Sequence, residues 1–299
     1  MQDSLPQAPL DTQEALVSDY IALLKPRVMS LAIFTTACSM IAAPGKLDPC
    51  LVSVAVLCTA LGAGGAGALN MWYDRDIDAL MKRTQKRPIV LGRVDPDEAF
   101  MLGVFLSTLS VLTMGVFINY MSAVVLLASI LFYILVYTAW LKRTTTQNIV
   151  IGGAAGAFPA ALGWTCATGR LDVHAFTLFA IVFLWTPAHF WALAIHKCDD
   201  YKAANIPMMP TVQGTRYTIK LIIFYGALTT LATIMPYFTG LSGKSYLVCA
   251  ILLNLVWIYR QLDLVRTQCG KVAMKLFYFS MVYLFGIFAS LALDALAFN

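Results

Sequence analysis

Nine apolar stretches, too long and too poor in charge for a soluble core, constrain what this chain can become. They run at about Val28 to Ala43, Leu51 to Leu69, Phe100 to Ile118, Met121 to Ala139, Ile149 to Thr165, Ala175 to Ile195, Leu221 to Tyr237, Tyr246 to Ile258 and Leu276 to Phe298. Most approach the ~20 residues that cross a bilayer as helix, while the first and eighth are short. Only 12% of residues are charged, against the roughly one quarter usual in soluble domains. Closed barrels would need alternating segments of about ten residues, and none is visible. The expectation is an all-α polytopic membrane protein of nine transmembrane helices. Residues 1–19 would form a polar N-terminal tail, and 20–299 one transmembrane domain.

Charge orients the helices. With a cytoplasmic N-terminus, eighteen of the 21 Lys and Arg residues fall in inside segments, leaving Lys46, Arg170 and Lys244 outside. Nine crossings then put the C-terminus on the far side. The formal charge of +5 follows the loops and needs no nucleic acid, so the lipid bilayer is the expected large-scale partner. Residues 1–19 carry Asp3, Asp11, Glu14 and Asp19 but no Lys or Arg, which fits neither a signal peptide nor a transit peptide. A bacterial inner membrane is the simplest location. Seven cysteines without a CxxC pair suggest neither disulfides nor a zinc site.

One polar break stands out, Asn70-Met-Trp-Tyr-Asp74-Arg-Asp76-Ile-Asp78. At about 100° per residue, Asn70, Asp74 and Asp78 step about 40° apart and share one helix face, while Asp76 points away and is expected to matter less. Two close carboxylates repel unless a positive charge lies between them, and a hard divalent cation such as magnesium takes oxygen ligands of this kind. The plain alternative is a solvated helix end whose acids pair with Arg75, Lys82 and Arg83. Two other motifs fail. Gly62 to Gly67 matches GxGxxG inside an apolar helix with no preceding strand, so close helix packing explains it better, as it does Gly152, Gly153 and Gly156. Asp74-x-Asp76-x-Asp78 lacks the glycine and the glutamate of a calcium loop, having Ala79 and Gln85 in those places.

The polar segments fall on one side of the membrane under this topology. Asn70 to Arg93 supplies carboxylates and cations, Lys142 to Asn148 more cations and hydroxyls, and His196 to Lys202 a second acidic pair. Acids that hold magnesium beside Lys and Arg suit a diphosphate leaving group, and a membrane-soluble tail on that diphosphate fits the setting. A transporter for an anionic lipid or porphyrin would predict internal repeats, and none is visible.

Asn70-x3-Asp74-x3-Asp78 followed by Lys82-Arg83-Thr84 and Arg87-Pro88 resembles the first aspartate-rich motif of the UbiA-type intramembrane prenyltransferases. Three further segments are similar to the haem-directed branch of that family. They are Leu24-Lys25-Pro26-Arg27, Tyr137-Thr138 through Lys142-Arg143 to Ile149, and Trp185-Thr-Pro-Ala-His189-Phe-Trp191-Ala running to Asp200-Tyr201 and Ile206-Pro207-Met208. The resemblance spans roughly residues 20 to 290.

The resemblance implies helices bundled around a central cavity, farnesyl diphosphate and haem B as substrates, and magnesium as cofactor. Haem O and diphosphate would be the products, serving terminal oxidase assembly or a haem A synthase. Carried onto this chain, Asn70, Asp74 and Asp78 become metal and diphosphate ligands, and Asp200 with Asp199 a second acidic contact. A second full DxxxD is absent, since Ala203 and Ala204 stand where its second acid would be. Lys25, Arg27, Lys82, Arg83, Arg87, Lys142, Arg143 and Lys202 are the candidate diphosphate cations. His189 and His196 lie seven apart, about 20° out of register on one helix, and are the candidate haem ligands. His174 falls in an outside loop and is incidental.

Overall fold

The computed structural model describes residues 15–45 and 48–298; Lys46, Asp3, Asp11 and Glu14, named above for charge, lie outside them. Each apolar stretch becomes helix. A short α1 (Val17–Leu23), which takes in residues 17–19 of the expected tail, meets α2 (Pro26–Ala42) at a 54° bend; α2 carries the first, short stretch, and the bent pair together is long enough for one span. Then come α3 (Pro49–Tyr73), α4 (Arg75–Leu80), α5 (Pro96–Phe117) and α6 (Tyr120–Leu131). A ten-residue π-helix, Phe132–Leu141, continues α6 into the single turn α7 (Lys142–Thr144). Next are α8 (Asn148–Thr168), α9 (Val173–His196), and the short α10 (Cys198–Ala203) and α11 (Met209–Val212). The chain closes with α12 (Gly214–Phe238), α13 (Lys244–Thr267) and α14 (Gly270–Phe298). Eight of these helices, counting α6 to α7 as one, are long and apolar enough to cross a membrane, and the bent pair makes up to nine. The chain is a multi-pass membrane protein.

Local chemistry sets the helix starts. Asp48 and Asp95 precede a proline at the first helical position and accept from Cys50 N at 2.7 Å and Asp97 N at 2.8 Å. Asn119 and Asp172 cap α6 and α9 in the same way. The start of α13 is capped from another helix. Buried Asp294 of α14 accepts from Gly243 N at 2.5 Å and Tyr246 N at 3.2 Å. At 24 residues α13 outruns the apolar stretch seen in sequence, because Arg260, Gln261 and Asp263 interrupt the hydropathy but not the helix.

Packing accounts for most of the glycines. A Cβ on Gly65 would stand 2.8 Å from Gly103 O and 2.6 Å from Ser107 Oγ, so only glycine lets α3 press on α5. Gly152 leaves room for the Tyr137 ring and Gly153 for Thr186. Gly156 differs from the expectation: nothing lies within 4 Å of its Cβ position, so close packing does not explain it. The seven cysteines are all free. Because consecutive spans run antiparallel, the junctions α1/α2, α3/α4, α7/α8, α9/α10, α11/α12 and α13/α14 gather at one end.

Candidate active site

Asn70 and Asp74 come from the last turn of α3 and the joint after it, and Asp78 from α4. Asp74 interrupts the regular helix with φ −87° and ψ 5°, yet the backbone ladder continues across it. Asp74 N donates to Asn70 O and Asp78 N donates to Asp74 O, both at 2.9 Å. The one-face geometry therefore survives the break. Asn70, Asp74 and Asp78 are 4%, 0% and 2% exposed, while Asp76 is exposed.

Carboxylates this deeply buried need partners. None comes from Arg75, Lys82 or Arg83. Lys142 Nζ donates to Asp74 Oδ2 at 2.5 Å, and Arg87 pairs with Asp78 Oδ2. Asn70 Nδ2 donates to Asp74 Oδ2 at 2.8 Å and to Thr138 Oγ1 at 2.9 Å, which turns Asn70 Oδ1 toward the ammonium of Lys25. That arrangement settles the amide orientation, since a lysine can only donate. Lys25 takes φ +54° directly before Pro26, a conformation that costs a non-glycine residue strain. Asp76, although outward, accepts two hydrogen bonds from Arg143 at 2.7 Å each, and this guanidinium holds its carboxyl below the ordinary value. Arg143 also stands 3.6 Å from Asp74 Oδ1, a buried oxygen with no hydrogen bond of its own.

The π-helix and the loop after α7 complete this end. The wide turn carries Thr138 onto Asn70 and stacks Tyr133 on Tyr137, ring centroids 5.7 Å apart. Wide turns of this kind are frequent at functional sites. Asn148 Nδ2 reaches Lys142 O and Pro207 O, each at 3.4 Å, and so draws the chain after α10 toward the first motif. Buried Thr84 donates to Asp78 O at 2.9 Å and ties the Lys82 to Arg87 loop under α4. Thr138 stands in the Tyr137-Thr138 motif and Thr84 beside Lys82-Arg83, but nothing in the sequence assigns their partners. Arg27, Lys82, Arg83, Lys202 and Asp199 are exposed, and Asp200 is half-buried. Among the described residues no three His, Cys, Asp or Glu side chains converge as a metal cluster, so Asp199 and Asp200 do not join Asp74 and Asp78 in one group. Magnesium is still suited to the donors present: Asn70, Asp74 and Asp78 offer hard oxygens from one face, and Asp74 Oδ1 is an orphaned acceptor.

His189 and His196 lie on the flank of α9 that meets α14, but in different settings. His189 is 8% exposed, stacked between Trp185 (4.1 Å) and Phe277 (4.5 Å), with Nδ1 2.5 Å from Ser280 Oγ. Ser280 spends its one hydroxyl proton on Phe277 O at 2.6 Å. Nδ1 must therefore be the donor, and Nε2 keeps the lone pair. His196 is exposed beside Gly270 at the start of α14. His174 packs on Trp164 at the other end of α9.

The described residues form an all-α membrane bundle that brings buried carboxylate and amide oxygens, lysines and arginines to one end. The chain belongs to the UbiA prenyltransferase family, which it matches over residues 31–286. It is 51% identical over 291 residues to a protoheme IX farnesyltransferase of Agrobacterium fabrum, covering 96% of this chain and 92% of the relative. It is 49% identical to that of Brucella ovis, covering 96% and 93%. Among solved structures it is similar to a digeranylgeranylglyceryl phosphate synthase, with TM-score 0.78 and 16% identity over 94% of this chain and 99% of that one. It is also similar to a UbiA homologue from Archaeoglobus fulgidus bound to GPP and Mg2+, with TM-score 0.66 and 15% identity over 91% and 99%.

Proposed function

We propose that this chain transfers the farnesyl group of farnesyl diphosphate to a vinyl group of haem B, with addition of water, giving haem O and diphosphate. The observation that carries the reading is the buried set Asn70, Asp74 and Asp78, whose oxygens each meet a cation brought by a different segment. Relatives about half identical over nearly the whole chain, named for farnesyl transfer to protohaem IX, support the substrate pair.

Magnesium held by Asn70, Asp74 and Asp78 would neutralise the diphosphate as it leaves. Lys25, Arg87, Lys142 and Arg143 add positive charge at the same end, and Arg27, Lys82, Arg83 and Lys202 are exposed contacts around it. The C1–O bond breaks with its electron pair going to diphosphate. The haem vinyl carbon bonds to C1, and water quenches the porphyrin-side cation with loss of a proton. No protein nucleophile is required. The chain excludes water until that last step by keeping the site inside the bundle. Asp200, with Asp199, is the second acidic contact. His189 presents Nε2 as the haem iron ligand, its tautomer held by Ser280, and His196 is a weaker contact at the exposed end. The enzyme resides in a bacterial inner membrane with its N-terminus and this site cytoplasmic and its C-terminus periplasmic, and supplies haem O to oxidase assembly or a haem A synthase.

Purified protein incubated with haem B, farnesyl diphosphate and magnesium should yield the mass of hydroxyethylfarnesyl haem. Formation of a prenylated product only from another acceptor, with haem B untouched, would reject the reading.

A further inference from the structure

Each of the three residues assigned above to magnesium already has one oxygen held by a cation of the chain itself. Lys25 takes Asn70 Oδ1, Lys142 takes Asp74 Oδ2, and Arg87 takes Asp78 Oδ2. These three cations come from the α1/α2 bend, the end of the π-helix and the loop after α4. Asp74 Oδ1 has no hydrogen bond, but a divalent cation that takes these three paired oxygens must compete with all three cations, and the carboxylates are too buried for solvent to receive the displaced charges cheaply. The inner cluster of directly paired groups, leaving aside the exposed residues around it, also carries more positive than negative charge. Lys25, Arg87, Lys142 and Arg143 oppose Asp74, Asp76 and Asp78, leaving one positive charge. A fully ionised prenyl diphosphate carrying one magnesium ion has one negative charge, so that complex balances this inner cluster and the bare metal does not.

We propose that Lys25, Lys142 and Arg87 are exchangeable counter-ions, which pass from the ligand oxygens to the diphosphate as the divalent cation takes those oxygens. Metal and prenyl diphosphate then bind interdependently, each weak without the other, and the net charge of the paired cluster admits them as a pair. The coupling is reciprocal, as binding linkage requires. It rests on the reading of this end of the bundle as a farnesyl diphosphate site. Asp76 contributes by keeping Arg143 paired outside the exchange.

The test measures binding in nanodiscs, with no turnover. Mn2+ alone is titrated by loss of its free EPR signal, and an unreactive farnesyl thiodiphosphate is titrated with and without Mg2+. The wild type should bind Mn2+ alone weakly and the analogue much more tightly with Mg2+. Lys142→Met should bind Mn2+ alone about tenfold tighter and lose about tenfold of the coupling. Lys25→Met is the second variant, because its partner oxygen is an uncharged amide and its removal leaves no bare carboxylate. Lys86→Met, the same charge change on an exposed residue, should leave Mn2+ affinity as in the wild type. Unchanged Mn2+ affinity in both Lys142→Met and Lys25→Met, or equal tightening in Lys86→Met, overturns the exchange while leaving the diphosphate site intact. If the wild type shows no Mg2+-dependent binding of the analogue, the reading of the site falls together with the exchange.

Discussion

Replacing Asp76 by asparagine tests whether an exposed carboxylate keeps Arg143 off Asp74. Arg143 spends two N–H groups on Asp76 at 2.7 Å and stands 3.6 Å from Asp74 Oδ1, which has no hydrogen bond. Without Asp76 the guanidinium is free to close on that oxygen, to the ~2.8 Å of a charge-assisted bond. At an effective dielectric of about 20, a unit pair attracts by about 4.6 kcal/mol at the observed 3.6 Å. At ~2.8 Å the figure is about 5.9 kcal/mol, so Arg143 tightens on Asp74 by about 1.3 kcal/mol. A metal competing for Asp74 must overcome that difference, so half-saturating magnesium should rise about tenfold. Stability should fall by less than ~1 kcal/mol, because the Asp76 side chain is 59% exposed and such pairs are screened. Initial rates across a magnesium titration, with farnesyl diphosphate and haem B in membranes, measure the first quantity, and thermal melting in detergent the second. Adding Arg143→Gln should bring the half-saturating concentration back down. An unchanged magnesium dependence in well-folded Asp76→Asn refutes the restraining role, and a collapse of Tm would show that the pair is structural instead.

Asp74→Ala or Asp78→Ala should abolish haem O formation while the protein still inserts and folds, and should be more damaging than Asp76→Ala; equal losses in a membrane assay would contradict the one-face geometry. His189→Ala should weaken haem B binding and shift its Soret band while leaving Mg2+-dependent binding of a farnesyl diphosphate analogue intact. Ser280→Ala, which strips Nδ1–H of its acceptor, should act in the same direction at about 1–3 kcal/mol, and an unchanged haem spectrum in both variants returns His189 to a packing role. Single-cysteine labelling in a cysteine-free background should reach positions 85 and 202 from the cytoplasmic side and position 243 from the other; labelling 85 and 202 from opposite faces would break the shared site.

What the sequence exposes here is whatever depends on neighbours along the chain. Apolar length is such a property, and each apolar stretch is helical to within a residue of its ends, the fourth running through α6 into the π-helix. The common face of Asn70, Asp74 and Asp78 is another, because one helical ladder runs through all three. The cations are not local. Arg75, Lys82 and Arg83 are the near candidates, yet Lys25 and Lys142 reach Asn70 and Asp74 across 45 and 68 residues. Those pairs depend on how α2, α3 and the π-helix pack. The π-helix is equally hidden, since Phe132–Leu141 reads as ordinary apolar helix, and its wide turn goes with tertiary contacts such as Thr138 on Asn70 and Tyr137 beside Gly152. An acid with no exposed surface must find a positive partner, so the existence of the cation set follows from the buried face of α3. The identity of its members follows only from the bundle.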